Sequence, residues 1–137
     1  MIRWMYELSV ERTFCAAHAI VIRGEREPVH GHNWHVTTTV AGTTLDEDGL
    51  LCDFHHLEHA VDAVLAPFVN ADLNATPPFD QLNPTAELVA RHIADALADQ
   101  LPPGVEIQSV SVTEAPGCRA TWRPPSGSTQ VAGEDVR

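Results

Sequence analysis

The order of apolar periodicities constrains the fold of this chain more than any other feature. Period-two alternation comes first, in residues 5–17: Tyr6, Leu8 and Val10 alternate with Glu7, Ser9 and Glu11 before the run Phe14-Cys15-Ala16-Ala17. Such alternation suits a strand with one buried face. The run Val36-Thr37-Thr38-Thr39-Val40 marks a second strand over residues 30–43, because branched side chains lose rotamer freedom in a helix and pack well on a pleat. The period then changes to that of a helix: Phe54, Leu57, Val61, Val64, Leu65 and Phe68 share one face behind Asp53 as N-cap. A second helix is expected from Asn83 as cap and Pro84 as first residue, through Leu88, Val89, Ile93 and Leu97, to the stop Pro102-Pro103-Gly104. Period two returns in residues 105–113, with Val105, Ile107, Ser109 and Ser111 on one side and Val110 and Val112 on the other. Residues 119–123 add a short fourth strand, and the charged stretch 23–28 reads as a loop. The resulting order, ββααββ, predicts an α+β fold with two helices on one face of an antiparallel sheet. A sheet this small has open edges that invite pairing with other subunits.

The 137 residues suit one domain, expected over residues 1–123. Residues 124–137 are rich in proline, glycine and serine, and a disordered tail is expected there. The formal net charge is −11 and every basic residue is an arginine. That surface repels a phosphate polymer, so no nucleic-acid partner is expected, and Schiff-base chemistry lacks its lysine. Arg23 and Arg26 form a local cationic pair that suits an anionic ligand. No apolar run approaches the roughly 20 residues that span a bilayer, and the N-terminus lacks the pattern of a secretory signal. A cytoplasmic protein without a membrane partner is the expectation. Cys15, Cys52 and Cys118 make neither a disulfide framework nor a paired zinc motif, and read as buried reduced thiols.

Histidine placement carries the chemistry. In His30-Gly31-His32 the two imidazoles stand at i and i+2 of a strand and so share a face. His18 ends the preceding strand, which should pair antiparallel with this one. Three imidazoles with an open fourth position make the shell of a catalytic zinc ion, though spacing alone leaves ordinary structural histidines as an equal reading. His35 faces away by strand parity. His55 and His59 share a helix face beside Glu58 and Asp62 and read as solvated, while His92 reads as a surface or intersubunit residue.

Several motifs occur in sequence: Phe14-Cys15-Ala16-Ala17-His18, His30-Gly31-His32-Asn33 and Asp48-Gly49-Leu50-Leu51-Cys52-Asp53-Phe54. Asp72-Leu73-Asn74, Asn83-Pro84-Thr85-Ala86-Glu87 and Val112-Thr113-Glu114 follow. Together they resemble the 6-pyruvoyl-tetrahydropterin synthase family, which includes the 6-carboxytetrahydropterin synthases, over residues 5–122. The resemblance implies a tunnelling fold whose subunits close into a trimeric barrel, two of which stack into a homo-hexamer. It implies that His18, His30 and His32 bind Zn2+, that Glu114 anchors a pterin substrate, and that Thr85 and Glu87 contribute to the substrate pocket. The implied substrate is 7,8-dihydroneopterin triphosphate.

Two departures bear on the reaction. Most members of the family carry a catalytic cysteine shortly before the His-Gly-His, where this chain has Gly24, Glu25 and Arg26. Glu27 stands three residues before His30, a Glu-x-x-His-Gly-His pattern that resembles a subgroup with glutamate in place of the thiol. That subgroup makes 6-hydroxymethyl-7,8-dihydropterin, with the glutamate as base; Glu25 fits the spacing less well. The Asp-His pair usual before the family's Leu-Asn is replaced by Val69 and Asn70, neither of which titrates near neutral pH. The alternatives are 6-carboxytetrahydropterin or 6-pyruvoyltetrahydropterin synthesis, or a pterin-binding relative without catalysis.

Overall fold

The computed structural model describes residues 5–125. A long strand β1 (Tyr6–His18) runs through a short ladder, β2 (Val21–Ile22) with β3 (Glu25–Arg26), into an equally long β4 (His30–Gly42). Helix α1 (Phe54–Leu65), a short strand β5 (Ala71–Asp72) and helix α2 (Ala86–Ala98) follow, and β6 (Glu106–Ala115) and β7 (Cys118–Trp122) close the chain. The main sheet has the order β5-β1-β4-β6-β7. All its pairings are antiparallel except β5, which adds in parallel at Ala16–Ala17. The α+β arrangement is the expected one, with both helices on one face: α1 packs on β1, and α2 on β6 and β7. The expected tail lies outside the described residues from position 126 onward.

Strand parity decides what each face carries. On β1, Val10, Phe14, Ala16 and His18 are buried, and on β4 Trp34, Val36, Thr38 and Val40 are buried. They meet Leu57, Val61 and Val64 of α1 and Val89, Ile93 and Leu97 of α2 in one core. Alternate positions form an uncovered polar face. There Ser9 bonds Thr39 at 2.8 Å, Thr13 bonds His35 Nδ1 at 2.8 Å, and Ser111 bonds Thr121 at 2.8 Å. Cys15 lies on that face and is exposed, its thiol donating to Asn33 Oδ1 at 2.8 Å. The thiols are free as expected but not buried: Cys118 is exposed too, and Cys52 is half-buried.

Other departures have local causes. The stretch 23–28 is not all loop, because Arg23 (φ 52°) and Gly24 (φ 82°) take the left-handed conformations of a tight turn and let Val21–Ile22 pair with Glu25–Arg26. In β6 the alternation breaks at a bulge: Thr39 pairs with Ser109 and Val40 with Ile107, so Gln108 is extra. Ile107 is thereby brought onto the core with Val110 and Val112. Asp53 caps α1 as expected, accepting from the His55 N–H at 2.8 Å. The cap of α2 is Thr85, whose hydroxyl accepts from the Leu88 N–H at 3.1 Å, and Asn83 is engaged elsewhere. Gly42 is required by close approach, since a Cβ there would lie 2.6 Å from the Gly104 carbonyl oxygen.

His92 is half-buried and not an open surface residue. Its ring meets Phe68 and Phe79 edge-on, with centroids 5.6 Å apart in each case. Burial holds the imidazole below its usual range, opposed by the nearby Asp95 carboxylate. The unfolded chain therefore binds the proton more readily, so His92 stabilises the fold fully above about pH 6.5 and that contribution is lost as pH falls below it. Urea denaturation of the protein and of His92→Leu between about pH 7.5 and 5 should show a shallower loss of stability in the variant across this window.

Candidate active site

The full-length pairing of β1 with β4 sets His18 opposite His30 and Ala16 opposite His32. All three histidines occupy positions of the helix-covered face, beyond the edge of the core. Their ring centroids are 4.7–5.1 Å apart, and one ring nitrogen of each lies within 4.8 Å of the others. Trp34 forms the wall behind them. It is fully buried, donates from Nε1 to the Ala16 carbonyl at 3.1 Å, and stands edge-on to His18 and His32 at 4.9 and 5.7 Å. It went unnoticed in the sequence, although its parity with His30 and His32 marks it as their neighbour.

Backbone carbonyls choose which nitrogen faces the centre. His18 Nδ1 lies 2.8 Å from the Pro84 carbonyl oxygen and His30 Nδ1 lies 2.9 Å from that of Pro28. A carbonyl only accepts, so both Nδ1 atoms carry a proton, and it is the Nε2 atom of each ring that is left to bind a metal. Nε2 of His18 and of His32 is buried with no hydrogen-bond partner among the described residues. An unpaired buried polar atom costs about 1–3 kcal/mol, which a cation shared by the three rings would remove. Burial also holds the His32 imidazole below its usual range, against the pull of Glu114, and so favours the neutral form a metal requires. The residues fit a divalent metal with three nitrogen ligands and an open position.

Two carboxylates flank this centre. Glu114 Oε1 is 3.8 Å from His18 Nε2, and its Oε2 is 3.6 Å from His32 Nε2. It follows Val110 and Val112 on the helix-covered face and sits at a second bulge, where Thr113 pairs with Arg119 and Ala115 with Cys118. Glu27 Oε1 is 3.7 Å from His30 Nε2 and accepts from the Ile20 N–H at 3.1 Å. Glu25 lies on the β3 side of the hairpin and is exposed.

A cleft of about 330 Å³ opens beside Glu114, bordered also by Ile20, Thr85, Glu87, Cys118 and Arg119. That is within the roughly 300–1,000 Å³ of small-molecule sites. Thr85 and Glu87 therefore meet Glu114 at one cleft. The Thr85 hydroxyl accepts as a helix cap and keeps a proton to donate, while Glu87 is exposed in the first turn of α2. His35, His55 and His59 are exposed and outside the cluster, as expected.

The family model described as 6-pyruvoyl tetrahydropterin synthase matches residues 7–125. The chain belongs to that family. It is 33% identical over 133 residues to the 6-carboxy-5,6,7,8-tetrahydropterin synthase of Bacillus subtilis, covering 90% of this chain and 89% of that one. Its fold is that of the Caenorhabditis elegans 6-pyruvoyl tetrahydropterin synthase, with a TM-score of 0.79 at 20% identity over 91% of this chain and 100% of the other. Plasmodium vivax 6-pyruvoyltetrahydropterin synthase, solved as an alanine mutant of a catalytic glutamate, gives 0.71 at 21% identity over 88% and 98%. The α+β architecture is thus the tunnelling fold of pterin synthases, and a pterin-modifying role follows from membership of the family.

In this member of the 6-pyruvoyl tetrahydropterin synthase family the positions of the usual Asp-His pair hold no titratable group. Val69 is exposed, and Asn70 adopts φ 56° with its N–H donating to the Cys15 carbonyl at 2.7 Å. Among the described residues no helix is long and apolar enough to cross a membrane. The three-histidine centre predicts that saturating divalent zinc raises the melting temperature of chelator-treated protein, by the linkage between binding and folding. His18→Ala should abolish the rise, as differential scanning fluorimetry would measure.

Proposed function

We propose that this protein is a zinc-dependent lyase that shortens the side chain of 7,8-dihydroneopterin triphosphate to give 6-hydroxymethyl-7,8-dihydropterin. His18, His30 and His32 hold the zinc. When bound, the ion polarises side-chain oxygens of the substrate and lowers their pKa. Glu114 accepts paired hydrogen bonds from the 2-amino group and ring N–H of the pterin, and Thr85 and Glu87 line the entrance. Glu27 takes the proton of the 2′-hydroxyl. The C2′–O bond then becomes a carbonyl, the C1′–C2′ bond breaks, and its electron pair passes to C1′, where the dihydropterin C6=N5 bond delocalises it. A proton returned to C1′ leaves the hydroxymethyl group, and the remainder departs as an aldehyde.

The observation that carries this reading is Glu27 itself, whose carboxylate lies beside His30 and is oriented by the Ile20 N–H. Glutamate is also the catalytic residue of the Plasmodium vivax relative. A second reading, 6-carboxytetrahydropterin synthesis, is favoured by the name of the Bacillus subtilis relative. The absence of a thiol in residues 24–29 and of the Asp-His pair weighs against it. Anaerobic incubation of the zinc-loaded protein with the triphosphate, followed by mass spectrometry, separates the two by product. Pterin binding without turnover would point instead to a relative that has lost catalysis. Glu27→Gln should lower kcat by about 10²–10⁴-fold, the usual share of a positioned base.

The reading extends to assembly as a homo-hexamer of two trimeric barrels in the cytoplasm. In its support, β7 and most of β1 have an unpaired edge in the sheet order, and an antiparallel sheet closes into a barrel only by joining such edges. Light scattering should then give six times the 14.9 kDa of the chain.

A further inference from the structure

Three successive residues, Ala19, Ile20 and Val21, lead from the metal-facing His18 into the β2–β3 hairpin, and each has its N–H and C=O held by a different residue. Asn74 takes the first: its Oδ1 accepts from the Ala19 N–H at 2.7 Å and its Nδ2 donates to the Ala19 carbonyl at 2.9 Å. Glu27 takes the second, accepting from the Ile20 N–H through Oε1 at 3.1 Å while its own N–H donates to the Ile20 carbonyl at 3.0 Å. Asn83 takes the third, accepting from the Val21 N–H at 2.8 Å and donating to the Val21 carbonyl at 3.0 Å. The two asparagines come from unrelated places, a helical turn at Leu73–Ala75 and the approach to α2. Each amide satisfies the N–H and the C=O of a single residue, a paired contact that fixes orientation as well as position. The Pro84 carbonyl that holds His18 Nδ1 directly follows Asn83, so one short segment grips both the ligand ring and the peptide beyond it.

From this geometry we propose that Asn74 and Asn83 are positioning residues for Glu27. They clamp the peptides on either side of Ile20, whose N–H then sets the Glu27 carboxylate beside His30. Glu27 follows directly on β3, and its neighbours Arg26 and Pro28 are exposed, so the chain on either side does little to hold it. The clamp supplies that order from two distant segments. Misplacement of a reacting group by an ångström costs on the order of a hundredfold in rate, so the effect of loosening the clamp belongs on kcat. The proposal rests on Glu27 acting as the base.

A double-mutant cycle on the zinc-loaded enzyme tests it. Asn74→Asp and Asn83→Asp keep the shape and the acceptor but turn an oxygen toward the clamped carbonyl. Each should lower kcat about tenfold, with KM and zinc content within a factor of about two. In a Glu27→Gln background the same substitutions should change the residual rate less than about twofold. Hydrogen exchange of the Ile20 amide should quicken in both single variants, a readout independent of turnover. Equal losses in both backgrounds, or single variants with unchanged kcat, overturn the proposal and leave the role of Glu27 standing. An unchanged rate in Glu27→Gln alone overturns both. Failure to fold in these variants and in Asn74→Ser and Asn83→Ser assigns the asparagines to folding and overturns the positioning role.

Discussion

Everything at the candidate site depends on the register between β1 and β4. Thirteen residues pair without interruption from Tyr6 opposite Gly42 to His18 opposite His30. Because side chains alternate across a strand, a slip of one residue would turn one strand over relative to the other and part His18 from His30 and His32. It would also expose either Val10 and Phe14 of β1 or Trp34, Val36 and Val40 of β4, so the burial of the core and the assembly of the histidine cluster are enforced by the same alignment. The site therefore does not need its own folding signal. It sits at the end of a ladder that the apolar core already specifies.

Around that ladder the remaining groups arrive by departures from regular structure. Glu114 stands at a bulge in β6, a left-handed turn at Arg23-Gly24 brings the chain back so that Glu27 can meet Ile20, and the segment before α2 supplies the Pro84 carbonyl to His18. Regular pairing provides rigidity, and the irregular points aim individual side chains. The result places a cluster of three imidazoles between two carboxylates, with a buried indole behind it. Such a setting fits a cation and has carboxylate oxygens on both flanks, the arrangement that the proposed proton removal beside a polarised oxygen requires.

Much of this was legible in the chain. The strands over residues 5–17 and 30–43, the Asp53-capped helix and the ββααββ order follow from side-chain periodicity, which is a local property. The His18, His30 and His32 set followed from parity within a strand together with an assumed pairing. What escaped notice depends on contacts distant in sequence. Asn83 reads as a helix cap because asparagine before proline suits that role, yet its amide is taken by Val21, 62 residues away, and Thr85 caps instead. His92 reads as a polar helix residue, but Phe68 and Phe79 close over it. The Gln108 bulge shifts Ile107 to the opposite side from the one simple alternation gives.

By itself, then, the sequence determined the long strands and both helices, the faces that β1 and β4 bury, the three histidines that share one of those faces, and the family. These are properties of spacing and residue chemistry, which need no knowledge of distant neighbours. Only the tertiary structure decided which nitrogen each ring turns inward, where Glu114 and Glu27 stand relative to those rings, and what holds the peptides on either side of Ile20. Those outcomes rest on hydrogen bonds whose angles and distances are set when segments tens of residues apart come together, and no local pattern encodes them.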